Sequence, residues 1–241
     1  MKQYTKTLLA SALIAGAGVA QAEVSGNVAL TSDYKFRGVS QTDNQMALQG
    51  GFDYEHESGF YAGTWASNVD SNFFAGAGSS DPQIELDVYA GFSGEAGDIG
   101  YDVGVLRYFY PGFSDAATTE VYVGGSYGMF SASLAYSNEL SFILIDESAW
   151  YFNVGAEFEV SEGITVSAGV GYSWGDAWDD LGKAAGVSAD SYIDYSIGVS
   201  GSAAGVDLGL SYVGSDDDAE DMFGDDDITK GKLVLTISKS L

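Results

Sequence analysis

From Glu23 to the end of the chain, apolar and polar residues alternate with a period of two, segment after segment. That period belongs to β-strands with one apolar and one polar face. Ile84, Leu86, Val88, Ala90 and Phe92 alternate with Gln83, Glu85, Asp87, Tyr89 and Gly91. Trp150, Phe152, Val154, Ala156, Phe158 and Val160 alternate with Tyr151, Asn153, Gly155, Glu157 and Glu159. The segments starting at Ile164 and Ile193 repeat the pattern. Weaker alternation covers 24–36, 45–54, 59–68, 99–109, 118–125, 129–137, 206–213 and 229–241. In 59–68, Tyr61 and Trp65 compete with Phe60, Ala62 and Ala66 for the apolar face. The total is about twelve segments, each near the ~9–11 residues of a tilted membrane strand.

The connections alternate in length. Short ones hold Glu55–Ser58, Ser93–Gly97, Ser126–Gly128, Ser161–Gly163 and Gly201–Gly205. Longer ones lie near Gly38–Asn44, Asp70–Pro82, Pro111–Ala117, Asn138–Glu147, Gly175–Ala189 and Gly214–Asp227. Tight turns at one end and long loops at the other are the layout of an outer-membrane barrel, and an even strand count puts both termini at the periplasmic end. Aromatic residues should then band at the two interfaces. Tyr34, Phe36, Trp150, Phe152, Tyr172 and Trp174 sit beside long loops, and Phe52, Tyr54, Phe60, Phe92, Tyr101, Phe130 and Phe158 beside short turns. A soluble sandwich also alternates, but the turn asymmetry and the two girdles favour a transmembrane, antiparallel, up-and-down all-β barrel.

The first 22 residues have a different character. Lys2 and Lys6 precede an apolar stretch from Leu8 to Val19, and Ala20-Gln21-Ala22 fits a small-x-small cleavage site. The stretch is shorter than the ~20 residues of a membrane span. Residues 1–22 are therefore expected to be a signal peptide removed before Glu23, leaving 23–241 as one barrel domain.

The chain carries 9 Lys plus Arg against 35 Asp plus Glu, a net charge of -26. Such a chain repels phosphate backbones, so nucleic acid is not an expected partner. There is no Cys and one His, His56. Thiolate metal sites and thiol nucleophiles are excluded. His56 lies in the turn Glu55-His-Glu-Ser-Gly59, and a hydrolase would need it to converge with a serine and a carboxylate. The expectation is that the protein is not an enzyme and uses no cofactor.

Ser32-Asp-Tyr-Lys-Phe-Arg-Gly-Val-Ser-Gln-Thr42 and Gln49-Gly-Gly-Phe-Asp-Tyr-Glu-His-Glu-Ser-Gly-Phe-Tyr-Ala-Gly-Thr-Trp-Ala-Ser-Asn-Val69 are distinctive. Together they resemble the TorF-type porin family of proteobacterial outer-membrane proteins. Glu85-Leu86-Asp87, Tyr89-Ala-Gly91 and Ile237-Ser-Lys239 fit by spacing, while the usual terminal Phe is replaced by Leu241. The resemblance implies an outer-membrane barrel with a channel function and brings no catalytic residues.

Placing Tyr34 and Phe36 on the lipid face puts Asp33, Lys35 and Arg37 in the lumen. They would stand opposite the wall acids Asp53, Glu85, Asp87, Glu120, Glu157 and Asp194. One outcome is a transverse field that selects solutes; the other is an internal ion-pair network that fills a narrow barrel. Arg107 falls on the apolar parity, where it could snorkel toward lipopolysaccharide phosphate, unless a bulge near Leu106 turns it inward. The acidic run Asp216–Asp227 reads as a solvated loop; Asp216, Asp217, Asp218, Glu220 and Asp221 are its weak candidates for Ca²⁺ or Mg²⁺. Gly50-Gly51 and Gly124-Gly125 read as strand kinks.

The expected function is passive diffusion of small hydrophilic solutes or ions, with a cation bias, in a Gram-negative outer membrane. The partners are lipid, lipopolysaccharide and the solute, and the chain's small size points to a monomer. The alternatives are a plugged structural or interaction barrel, an outer-membrane hydrolase, and a soluble secreted β-protein.

Overall fold

The structure, a computed structural model, describes residues 23–70 and 82–241. The expected signal peptide and most of the expected loop Asp70–Pro82 lie outside the described residues. The strands are β1 (Glu23–Thr31), β2 (Lys35–Phe36), β3 (Val39–Ser40), β4 (Ala47–Glu55), β5 (Phe60–Asn68), β6 (Ile84–Ala96) and β7 (Ile99–Phe109). They continue with β8 (Thr118–Tyr127), β9 (Phe130–Ser137), β10 (Ala149–Ser161), β11 (Ile164–Trp174), β12 (Ser191–Ala203), β13 (Val206–Ser215) and β14 (Lys232–Ser240). Among the described residues, three α-helices lie at the long-loop end: α1 (Asp176–Ala185), α2 (Asp217–Phe223) and α3 (Asp226–Thr229).

Twelve antiparallel strands form one closed barrel, in which β1 pairs with both β4 and β14. Closure follows from the spanning requirement, because no backbone donor or acceptor can be left facing hydrocarbon. The period-two segments are the strands. Ile99, Tyr101, Val103 and Val105 are exposed on the outside of β7, while Asp102 and Tyr108 are buried inside it. On β14, Leu233, Leu235 and Ile237 face out and Val234 faces in. An apolar exterior this continuous is a lipid-facing surface rather than a water-facing one.

The ambiguous strand β5 has aromatic side chains on both faces. Trp65 packs edge-on against the buried Tyr34, and the Tyr61 hydroxyl bonds to Asp102. Both therefore point inward, and Phe60, on the other parity, packs on Phe92. The aromatic band near the long loops holds on β9–β11. There Tyr136, Trp150, Trp174 and Tyr172 form a run of ring contacts with centroids 4.5, 6.2 and 5.2 Å apart.

The first strand departs from expectation. It ends at Thr31, not at residue 36, and residues 32–42 fold inward. Ser32 donates its backbone N–H to Leu235 O, and β2 and β3 then pair as a hairpin inside the long-loop half of the barrel. Tyr34 is 4% exposed, and Phe36 packs on Tyr108 and Phe142, each at 5.8 Å. Neither belongs to the lipid girdle. A hairpin strand and a spanning strand share the same alternation, so the pattern could not separate them.

The acidic segment is also more ordered than a solvated loop. Asp216 caps α2 by accepting from the Ala219 N–H, and Asp225 caps α3 by accepting from Asp227. Carboxylates in a first helical turn complement the helix dipole. Burial pushes the Asp216 carboxyl above the usual carboxylate range. Trp178 of α1, 1% exposed, packs edge-on against Tyr192 at 5.0 Å and Phe223 at 6.3 Å, which joins α1 and α2 over the barrel mouth.

An arginine in place of Val103, on the outer face midway along β7, should destabilise the barrel by about 2–4 kcal/mol. Urea refolding in micelles, followed by the mobility of unboiled protein, should show a lower midpoint than wild type.

Candidate functional site

The hairpin turns at Arg37 and Gly38, with φ of 48° and 84°. Two successive positive φ angles define a type I′ turn. Glycine is needed at 38 for a second reason. A Cβ there would lie 2.7 Å from Gly214 O and 2.9 Å from Asp194 Cβ, so the turn rests directly on the wall formed by β12 and β13.

The three charged residues of the hairpin have three different roles. Asp33 stays within the hairpin, accepting from Ser40 Oγ at 2.6 Å and Thr42 Oγ1 at 3.0 Å. Lys35 does not face the wall acids. Its Nζ donates to Gly38 O, Ile228 O and Lys230 O at 3.3, 2.8 and 3.0 Å, tying the hairpin to the end of α3. Arg37 alone reaches across the lumen. Its Nη2 donates to both Glu120 oxygens, at 2.7 and 2.8 Å, and its guanidinium carbon lies 4.1 Å from the Tyr151 ring centroid. The two charged side chains are 7% and 5% exposed.

The wall acids are held by tyrosines. Glu85 accepts from Tyr34 and from Tyr110, each at 2.7 Å. Glu120 also accepts from Tyr108 at 3.0 Å. Asp53 accepts from Tyr89, and Asp194 accepts from Tyr151 at 3.3 Å. Glu157 lies on the lumen parity of β10, half-buried toward the short turns. Asp87 is 7% exposed, opposite Trp65 on β5 and Tyr108 on β7. Asp33 Oδ2, Asp87 Oδ1 and Asp194 Oδ2 are buried without a hydrogen-bond partner. A hydroxyl bond to a carboxylate is charge-assisted, so these pairs fix both the acid and the ring.

Sequence reasoning missed Asp102 and the lumen tyrosines. Asp102 accepts from Tyr61 at 2.6 Å, and the Tyr61 and Tyr122 hydroxyls are 2.5 Å apart. The available signal was a tyrosine on the polar parity of a strand. Glycines on adjoining strands make room for these rings. A Cβ on Gly63 would meet the Tyr89 ring, one on Gly91 the Tyr61 ring, one on Gly104 the Tyr122 ring and one on Gly171 the Tyr151 ring.

Other candidates end elsewhere. The pairing of β7 with both neighbours shows no register shift, so Arg107 stays on the exposed outer face. It donates to Thr119 Oγ1 at 2.5 Å and lies 5.2 Å from the Phe109 ring centroid. Asp216, Asp217, Asp218, Glu220 and Asp221 are spread over the cap and turns of α2, and among the described residues no three metal-ligating side chains converge on one point. His56 is exposed in the turn after β4, with Nδ1 2.9 Å from the Ser58 hydroxyl.

Replacing Glu120 by Ala would leave the Arg37 guanidinium buried without its counter-charge. A loss of about 3–5 kcal/mol is expected, read as a fall in the urea midpoint, with a smaller loss when Arg37→Ala is combined with it.

A family model described as "Bacterial protein of unknown function (Gcw_chp)" matches residues 15–241. No curated protein matches the chain. Among solved structures, the chain is similar to the NanC porin, with a TM-score of 0.55 and 8% identity over 88% of this chain and 97% of that one. It is also similar to an outer membrane channel from Pseudomonas putida F1, with a TM-score of 0.50 and 10% identity over 93% and 97% of the two chains. At such identities the likeness shows the barrel fold.

Proposed function

The chain belongs to the Gcw_chp family of bacterial proteins of unknown function, and from that starting point we propose that it is a porin-like channel of the Gram-negative outer membrane, passing small hydrophilic solutes with a preference for cations. The observation that carries the reading is the charge of the wall. Asp53, Glu85, Asp87, Asp102, Glu120, Glu157 and Asp194 lie on the lumen parity of the strands. Of the nearby bases, Arg37 is paired with Glu120 and Lys232 with Asp227, while Lys35 donates to carbonyl groups and keeps its charge against the six other wall acids. A low-dielectric wall strengthens the field of the remaining carboxylates. Permeation is diffusive, without a cofactor, and the hairpin sets the narrowest passage.

In this reading residues 1–22 are an export signal cleaved before Glu23, and the termini and short turns face the periplasm. The long loops and helices face outward, with Arg107 at the level of lipopolysaccharide phosphate. The protein works as a monomer, and its stretches Ser32–Thr42 and Gln49–Val69 carry the TorF-type porin resemblance.

A second reading, a plugged structural barrel, is favoured by one observation. The hairpin and a buried aromatic cluster containing Tyr34, Tyr108, Phe142, Trp178 and Tyr192 occupy the long-loop end. Planar-bilayer recording separates the two. A channel should conduct, with a reversal potential in a KCl gradient that favours K⁺ over Cl⁻. The preference should weaken at high salt, where screening shortens to ~3 Å at 1 M. Anion preference would overturn the charge argument; absence of conductance in wild type and in Arg37→Ala would favour the plugged barrel.

A further inference from the structure

We propose that the wall around Arg37 is a binding site for a solute bearing a guanidinium or related planar cation, and that Arg37 is its tethered occupant in the closed hairpin. The inference rests on the channel reading and names the class of solute. The site is built by the barrel, not by the hairpin. Glu120 on β8 supplies both oxygens to one guanidinium nitrogen. Tyr151 on β10 supplies a ring face at 4.1 Å, and Tyr108 on β7 steadies Glu120 with its hydroxyl. Asp194 on β12 keeps its Oδ1 on Tyr151 and leaves Oδ2 without a partner, in a side chain 9% exposed. A carboxylate beside an aromatic face suits a planar, weakly hydrated cation better than a compact ammonium ion.

Two features argue that this is a site rather than a brace. Stability does not require a buried ion pair, because its desolvation cost is comparable with its Coulombic gain. Arg37 also holds an unfavourable backbone conformation, at φ of 48° in a turn position that suits Asn, Asp or Gly. The side chain is kept there by the wall, and a free cation of the same shape competes with an occupant that carries backbone strain. Displacing Arg37 releases the turn from Glu120 on β8 and Tyr151 on β10, so recognition loosens the turn beside Val39 while Lys35 still holds the hairpin to the end of α3.

The test uses the full chain refolded in micelles and in planar bilayers, with methylguanidinium as probe and methylammonium as control. Arg37→Ala vacates the site. Methylguanidinium should raise its thermal midpoint, with an apparent affinity about tenfold or more above that of methylammonium, and Glu120→Gln in the same background should remove that advantage. In case Arg37→Ala does not fold, Val39→Cys in the otherwise native, cysteine-free chain gives a second readout. Val39 is 2% exposed in the hairpin, and its maleimide labelling should accelerate about threefold or more with methylguanidinium but not with methylammonium at equal ionic strength. A folded Arg37→Ala protein without Glu120-dependent binding overturns the proposal. If that variant does not fold, a labelling rate indifferent to methylguanidinium overturns it. Binding without conductance supports the site and overturns the channel reading; conductance without binding does the reverse.

Discussion

Pairing of β1 with both β4 and β14 closes the sheet, and closure transfers the design problem from the backbone to the lumen. Once every strand is paired, the exterior needs only apolar side chains of the right parity. The interior must satisfy carboxylates and hydroxyls in a narrow space. The chain does this by pairing acids with tyrosines and by sending residues 32–42 inward, so that one guanidinium meets Glu120 and one ammonium meets three carbonyl groups. The long-loop half becomes a packed interior, while the short-turn half keeps a wall of tyrosine, carboxylate, serine and glycine.

The twelve spanning segments were legible because lipid on one side and lumen on the other impose a strict period of two. Arg107 followed that period to the outer face. The same rule misled at Tyr34 and Phe36. A hairpin packed inside the barrel alternates as a spanning strand does, and its turn, Arg37-Gly38, lacks the Asn or Asp that would mark a type I′ turn. Asp216–Asp227 read as solvated because of its eight acids. Yet Ala219, Met222 and Phe223 fall at helical spacing after the capping Asp216, and that apolar stripe is what seats α2 against Trp178.

The candidate site was legible in part. Lumen parity identified Asp53, Glu85, Asp87, Glu120, Glu157 and Asp194 as facing inward. Their partners were not readable, because Tyr34 meets Glu85 from 51 residues away and Arg37 meets Glu120 from 83. Only closure of the barrel brings those pairs together. Lys35 was assigned to the lumen by its neighbours' parity; its carbonyl partners, Ile228 and Lys230, lie at the far end of the chain.

The tyrosine rings resting on Gly63, Gly91, Gly104 and Gly171 bear on how wide the space inside the barrel is. Strand number and tilt fix the diameter of the backbone cylinder, but the open bore is what remains after the side chains are laid down. Here several rings lie flat along the wall because the neighbouring strand has no Cβ in their way. A side chain at Gly63 would meet the Tyr89 ring and lift it toward the axis, whereas at Gly91 and Gly104 it would also press on the backbone carbonyls of Val103 and Ala90, so calibre is tuned most simply at the first of these positions. Two barrels with the same strands and the same register can thus differ in what they admit.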